Sequence, residues 1–332
     1  MIISRTPFRI SFFGGGTDYP AWYRDNGGAV LSTTIDKYCH ISCRYLPPFF
    51  EHRHRIVYSK FEHVNAIDEI AHPAVREVFR FMDVRDGLEI HHDGDLPARS
   101  GLGSSSSFTV GLLHALYALK GRMVGKRRLA LEAIHIEQEM IRENVGSQDQ
   151  AIAAFGGLNR IEFGGEYHIE VRPITIRADR LRLFQDHLML FFTGFSRIAS
   201  EVAVDTIRRI PDRREELRSL RDMVDEATGI LNGDGPLDDL GRLLDQGWKL
   251  KRSLSENIST SRIDEIYDTA RKAGAVGGKL LGAGGGGFML FFVHPDARKR
   301  VREALKSLLH VPFRFEFLGS QIIYYTESVA GE

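Results

Sequence analysis

The stretch Pro97-Ala98-Arg99-Ser100-Gly101-Leu102-Gly103-Ser104-Ser105-Ser106-Ser107 constrains this chain more than any other. Its two glycines let the backbone turn tightly and approach a ligand, and its four consecutive serines bring hydroxyls and N–H groups. Phe108, Leu112, Ala115, Leu116 and Leu119 then follow at helical spacing. A glycine-rich loop that opens a helix suits an anion, because the unpaired N–H groups of the first turn and the positive end of the helix dipole face whatever the loop holds. The same residues also suit a plain polar loop with serine N-caps, so the rest of the chain has to decide.

A length of 332 residues is long for one core and predicts two domains. With 43% hydrophobic and 27% charged residues the chain reads as an ordinary globular protein. Lys plus Arg and Asp plus Glu both number 44, which removes any bulk attraction to nucleic acid or to an anionic membrane. The start MIISRTPFRI lacks the pattern of a secretory signal, and the most apolar short run, 288–293, is far too short to span a bilayer. The expected location is therefore cytoplasmic, with no membrane and no nucleic acid among the partners. The two cysteines, Cys39 and Cys43, are too few for a disulfide framework and are expected as buried thiols.

Alternating apolar residues predict a strand over 8–13, running into Gly14-Gly15-Gly16-Thr17-Asp18. Further strands are expected over 29–35, 38–45 and 56–59, and over 88–92, which feeds the serine-rich loop. The pairs His52/His54 and His91/His92 offer no third metal ligand at useful spacing. A second helix is expected over 126–143. On it, Glu137 stands three or four residues from Ala133, Ile134, Met140 and Ile141 and projects from the apolar face, whereas Glu139 has His135, Ile136, Arg142 and Glu143 around it. A carboxylate on a buried face needs a partner, for which a metal ion and a salt bridge are both open. Asp149 lies in Gly146-Ser147-Gln148-Asp149-Gln150, read as a glycine turn, where it is either functional or a turn former.

Beyond a boundary at 175–186 the pattern changes to a strand over 188–193, long amphipathic helices, strands over 276–281 and 288–293, a helix over 296–309 and a closing strand within 312–318. The order β, α, β, β, α, β is that of a split ferredoxin-like unit with extra helices in its first crossover. The loop 282–287 satisfies G-x-G-x-x-G, yet a strand rather than a helix follows it, so it is not a dinucleotide fingerprint. The serine-rich loop contains no lysine and is not a Walker A loop. Three separated glycine turns suggest several backbones converging on one polyanionic ligand.

Taken together, three motifs resemble the GHMP small-molecule kinases: Thr6 to Ile10 through Thr17-Asp18-Tyr19, Pro97 to Ser107, and Gly278-Lys279-Leu280-Leu281 running into the glycines 282–287. Within that superfamily the form Phe13-Gly14-Gly15-Gly16-Thr17-Asp18, with Thr193-Gly194-Phe195-Ser196-Arg197, is most similar to the heptose 7-phosphate kinases. The galactokinase branch has Glu-His where this chain has Gly15-Gly16.

The resemblance implies an α+β, two-domain GHMP kinase fold. A ribosomal-protein-S5-like α/β domain over 1–180 would bind ATP and carry the catalytic groups, followed by a ferredoxin-like domain over 187–332. It implies ATP-dependent phosphorylation of the anomeric hydroxyl of a sugar phosphate, with Mg²⁺ as cofactor. Pro97, Ser100, Gly101, Leu102, Gly103, Ser104, Ser105 and Ser106 would cradle the ATP phosphates, and Ser105 with Glu137 would hold the metal. Asp149 would act as the base, at the spacing from Glu137 seen in galactokinase-like relatives, and Arg9 would be the cation near the attacking oxygen. Gly14, Gly15, Gly16, Thr17, Asp18, Arg197, Gly284 and Gly285 would meet the substrate, and Arg197, Lys37 or the Arg53/Arg55 pair would receive its phosphate. An unphosphorylated acceptor such as L-fucose, and a catalytically inactive ligand-binding relative, remain as alternatives. The chain is expected as a monomer or homodimer.

Overall fold

Strand β1 (Ile2–Phe13) is longer than its apolar alternation suggests, and from Thr6 onward both of its faces are covered. A computed structural model describes residues 1–98, 100–166, 168–195 and 199–326. Within it β1 pairs antiparallel with β2 (Gly28–Tyr45), and the pairing shifts register between Pro7 and Arg9. Pro7 has no N–H to give to a ladder, and an irregularity of this kind re-aims the side chains that follow it. The two strands expected over 29–35 and 38–45 are in fact one. β2 is 18 residues long and changes partner along its length. Its second half pairs with β5 (Leu88–Gly94) and its first half with β6 (Asn159–Gly164), so Asp36 and Lys37 sit where the sheet divides instead of at a turn.

Beyond β5 the sheet continues through β3 (His54–Val57), which lies parallel to it, to the edge strand β4 (Phe61–Val64), while β7 (His168–Pro173) extends β6. The helices Ser104–Leu119 and Gln148–Phe155 pack against β1 and β2. The helix expected over 126–143 is α-helical only over Lys126–His135 and then widens into a π-turn over Ile136–Met140. Such turns insert a residue into the helical ladder and recur at functional sites.

The second sheet contains β8 (Leu188–Phe192), β9 (Ala275–Leu280), β10 (Phe288–Val293) and β11 (Leu309–His310) in the order β11-β8-β10-β9, all antiparallel. This is the expected split unit, with four corrections. The helix expected over 296–309 is shorter, at Arg298–Ala304, and the closing strand is β11 instead of a segment within 312–318. The chain then leaves this sheet altogether: β12 (Phe315–Glu316) pairs with β2 and β13 (Gln321–Tyr325) pairs with β1. The unit expected over 187–332 therefore gives its last strands back to the first sheet. Finally, the boundary 175–186 is no open linker, because it carries the helix Ala178–Asp186, whose Phe184 is buried.

Phe184 explains how the two sheets are held. Its ring lies 5.2 Å from that of Phe12 and 5.6 Å from that of Phe315, so residues from β1, the connecting helix and the returning strand share one aromatic cluster. Cys39 and Cys43 are buried free thiols, pushed up from the usual thiol range by burial. Among the described residues no helix is long and apolar enough to cross a membrane.

Candidate active site

A cleft of about 310 Å³ opens where β1, the serine-rich loop, the first turn of Gln148–Phe155 and the second sheet meet. The loop is tied down from β1, since Arg9 N donates to Leu102 O at 3.0 Å and the Arg9 guanidinium donates to Gly101 O at 2.6 Å. Gly103 then takes the left-handed conformation (φ 74°) and serves as the N-cap of Ser104–Leu119. A side chain there would be strained, and the helix starts with its free N–H groups toward the cleft.

Asp149 lies in the first turn of a helix, not in a glycine turn as expected, so the positive end of that helix favours its negative charge. Arg9 grips it in a two-point fork, Nε to Oδ1 at 2.7 Å and Nη2 to Oδ2 at 2.8 Å, which fixes the carboxylate plane. The pair stands against the loop: a Cβ placed on Gly103 would lie 3.1 Å from Arg9 Cγ and 3.3 Å from Asp149 Oδ2.

Glu137 and Glu139 divide as the helical face predicts. Glu137 is 1% exposed, whereas the Glu139 side chain is 60% exposed. Burial pushes the Glu137 carboxyl up to about 7. Its Oε2 accepts from Ser106 Oγ at 2.8 Å and from Gln150 Nε2 at 2.5 Å, while Oε1 is buried with no partner. The serine on Glu137 is thus Ser106, and Ser105 stands exposed on the cleft wall. An orphaned buried carboxylate oxygen is what a divalent cation would complete. Among the described residues no three His, Cys, Asp or Glu side chains form a cage, so a cation here would keep its remaining positions for water and phosphate oxygens, as Mg²⁺ does.

Two further cations were missed by the sequence reading. Lys251 Nζ donates to Leu280 O at 3.2 Å and to Gly282 O, and Lys279 Nζ donates to Phe12 O at 2.8 Å. Burial pushes Lys251 down to about 7, with Arg9 adding to the effect and Asp18 and Asp149 opposing it. Lys279 is driven well below the usual lysine range by burial and then by Lys251 and Arg9. Lys251 had a visible signal: with Leu240, Leu244 and Trp248 it shares one face of the helix Asp238–Ser253, the same argument that singles out Glu137. Asp18 faces these cations. Its Oδ1 accepts from Gly16 N at 2.9 Å, and burial raises its carboxyl above the usual range.

Family models described as GHMP kinases N terminal domain and GHMP kinases C terminal match residues 66–157 and 214–311. The chain belongs to the GHMP kinase family. This GHMP kinase is 28% identical over 323 residues to the D-glycero-alpha-D-manno-heptose 7-phosphate kinase of Campylobacter jejuni, covering 92% of the chain and 93% of that protein. It is 24% identical over 331 residues to the bifunctional fucokinase/GDP-fucose pyrophosphorylase of Arabidopsis thaliana, an alignment that takes in 91% of this chain and 31% of the longer relative. A crystal structure of a D-glycero-D-manno-heptose 1-phosphate kinase from Bacteroides thetaiotaomicron matches with a TM-score of 0.80 at 23% identity, covering 98% of this chain and 100% of that one, and shows the shared fold. The two-domain α+β architecture and the kinase class stand on these matches.

Of the residues expected at the site of this GHMP kinase, Arg9, Gly15, Gly16, Asp18, Gly101, Gly103, Ser104, Ser105, Ser106 and Asp149 line the cleft. Others do not, among them Glu137, which is buried and hydrogen-bonded to the lining residue Ser106. Gly14 and Thr17 are structural: Thr17 Oγ1 donates to Gly14 O at 2.8 Å and to Ala29 O at 2.9 Å, and a Cβ on Gly14 would strike the Ala29 carbonyl. Ser100 and Leu102 are turned into the protein, and Pro97 is no part of the lining. Gly284 and Gly285 pack on Ile258, with Gly285 N donating to Ile258 O at 2.9 Å, and Gly282 and Ala283 line the cleft in their place. Lys37 turns onto Asp36 and Arg55 pairs with Glu89 at 3.1 Å, so neither they nor Arg53 reaches the cleft. Arg197 lies outside the described residues.

Proposed function

We propose that this GHMP kinase transfers the γ-phosphoryl group of ATP to the anomeric hydroxyl of a sugar phosphate of the heptose 7-phosphate class. The observation that carries the reading is the forked Arg9–Asp149 pair set against Gly103, which puts an oriented carboxylate beside the start of a helix suited to phosphate.

Asp149 accepts the proton of the acceptor hydroxyl as the oxygen attacks phosphorus. Arg9 holds that carboxylate in one orientation and keeps positive charge near the developing transition state, where charge spreads over the equatorial oxygens. The N–H groups from Gly101 to Ser106 receive the β- and γ-phosphates without having to reorganise. Ser105 and the buried, unpartnered Oε1 of Glu137 would hold Mg²⁺, which when bound would neutralise charge shared by those two phosphates. Lys251 and Lys279 form the cationic floor, and an arriving polyanion favours their charged forms, opposing the burial that suppresses them. The units 1–180 and 187–311, with 315–325 returned to the first sheet, close on the two sides of the substrates.

The similarity to the heptose 7-phosphate kinase supports a phosphorylated acceptor. One observation favours a second reading, an unphosphorylated sugar such as L-fucose: the described cations of the cleft, Arg9, Lys251 and Lys279, are all engaged with protein oxygens. An ADP-release screen over heptose 7-phosphate, L-fucose, mannose and galactose, followed by NMR of the product carbon, separates the two. Turnover of heptose 7-phosphate with a new phosphorus coupling at carbon 1 is expected. Selective turnover of L-fucose would replace the first reading with the second.

A further inference from the structure

A second cavity, of about 470 Å³, lies where the helix Ala178–Asp186, strand β8, the helix Arg298–Ala304, strand β11 and the crossing segment 311–314 meet. It shares no lining residue with the cleft. Its polar wall is Arg182, Arg298, Arg314, His310 and Gln185, with Asp186 the one carboxylate among the lining residues. Leu188, Val311, Pro312 and Phe313 supply an apolar side.

The charge here is out of balance with the rest of the molecule. The chain is neutral overall, with 44 basic and 44 acidic residues, and many arginines elsewhere are paired with carboxylates, as Arg9, Arg44, Arg80 and Arg160 are. Among the described residues none of the guanidiniums of Arg182, Arg298 and Arg314 has a carboxylate within ion-pair distance. Arg298 leans instead on backbone, donating to Leu188 O at 3.0 Å and to Asp186 O. Burial first, then Arg302 and Arg298, lower His310, while burial and Arg302 lower Arg298 against the opposing pull of Asp186.

We propose that this cavity is a second ligand site, one that takes a small phosphorylated anion. Guanidinium forks match phosphoryl oxygens in two-point contacts, the volume falls in the range of small-molecule sites, and the apolar side suits the body of a sugar phosphate or nucleotide. The site also spans the joint of the fold. Val311 N donates to Leu190 O at 2.8 Å in the second sheet, while Arg314 N donates to Asp36 Oδ1 at 2.8 Å and Asp36 N to Arg314 O at 2.9 Å in the first. An anion gripped by Arg314 on one side and by Arg182 and Arg298 on the other ties together the two sheets between which the catalytic cleft opens, so its class is that of an effector and not of a second substrate.

The test is hydrogen–deuterium exchange on the full chain at low salt with inorganic pyrophosphate as probe, in the wild type and in the double variant Arg182→Ser/Arg314→Ser. Both side chains are exposed, so the variant removes charge without opening the core. Pyrophosphate is expected to protect 309–314 as well as the phosphate loop in the wild type. In the variant the concentration needed to protect 309–314 rises at least tenfold, while protection of the loop and turnover without pyrophosphate are unchanged. Parallel arms with AMP and glucose 6-phosphate distinguish a nucleotide from a sugar phosphate as the occupant. Protection confined to the phosphate loop in the wild type with all three probes, or equal protection of 309–314 in wild type and variant, overturns the proposal.

Discussion

In the loop before Ser104–Leu119, a Cβ on Gly103 would meet the side chains of Arg9 and Asp149. In the loop 282–287, a Cβ would meet backbone: Gly101 from Gly282, Ile258 from Gly284, Ser100 from Gly287. Gly103 stays glycine so that chemistry can come close, whereas the glycines of 282–287, and Gly101 of the first loop, whose Cβ would meet Leu281 O at 2.5 Å, stay glycine so that two loops can lie on each other. Each is also clamped by a cation on a carbonyl, Arg9 on Gly101 O and Lys251 on Gly282 O. Only Arg9 is balanced by a forked carboxylate. Similar glycine-rich strings therefore serve two purposes, separated by what faces the missing side chain.

The sharpest way to break this contrast is on the ligand-facing side. Asp149→Asn keeps the shape of the side chain and should retain ATP binding while turnover falls by roughly 10²- to 10⁴-fold, the range for loss of a general base. Near-normal single-turnover rates would remove Asp149 from that role and leave the first loop with no demonstrated chemistry. The packing side should respond in stability instead. Gly287→Ala combines a φ of 107° with a Cβ driven into the Ser100 carbonyl, and unfolding in urea should show a loss of about 3 kcal/mol. If stability held and only turnover fell, the loop 282–287 would be a ligand loop after all.

The smallest effect sharpens the difference between the two clamps. Lys251, faced by Arg9, Asp18, Asp149 and Lys279, has its folded pKa pushed down to about 7 from an ordinary 10.5. Between those values the unfolded chain binds more protons, so the burial cost is full below pH 7 and shrinks as pH rises toward 10. Lys251→Met removes that cost together with two hydrogen bonds. The melting temperature of the variant relative to wild type should therefore be highest near pH 6 and should fall by a few degrees between pH 7 and 9.5. A difference independent of pH would mean that Lys251 is charged throughout.

Much of this was legible in the chain because it rests on local rules. A glycine turn opening a helix, the face on which Glu137 sits and the β-α-β-β-α-β order all follow from spacing within one element or between neighbours. The π-turn at Glu137 was not legible, since widening a helix by one residue leaves the apolar pattern nearly intact. Nor was the length of β2, because Asp36 and Lys37 look like a break until β5 and β6 are seen on either side of them.

By itself, the sequence determined the glycine turn that opens Ser104–Leu119, the burial of Glu137 rather than Glu139 and the presence of two α+β units. Only the tertiary structure decided that Arg9 clasps Asp149, that Lys251 and Lys279 form the cleft floor, that 315–325 returns to the first sheet, and that Gly284 and Gly285 pack instead of facing the cleft. The physical reason is distance along the chain. Arg9 and Asp149 are 140 residues apart and Lys279 and Phe12 are 267 apart, and no periodicity within an element records which groups folding will bring together across such separations.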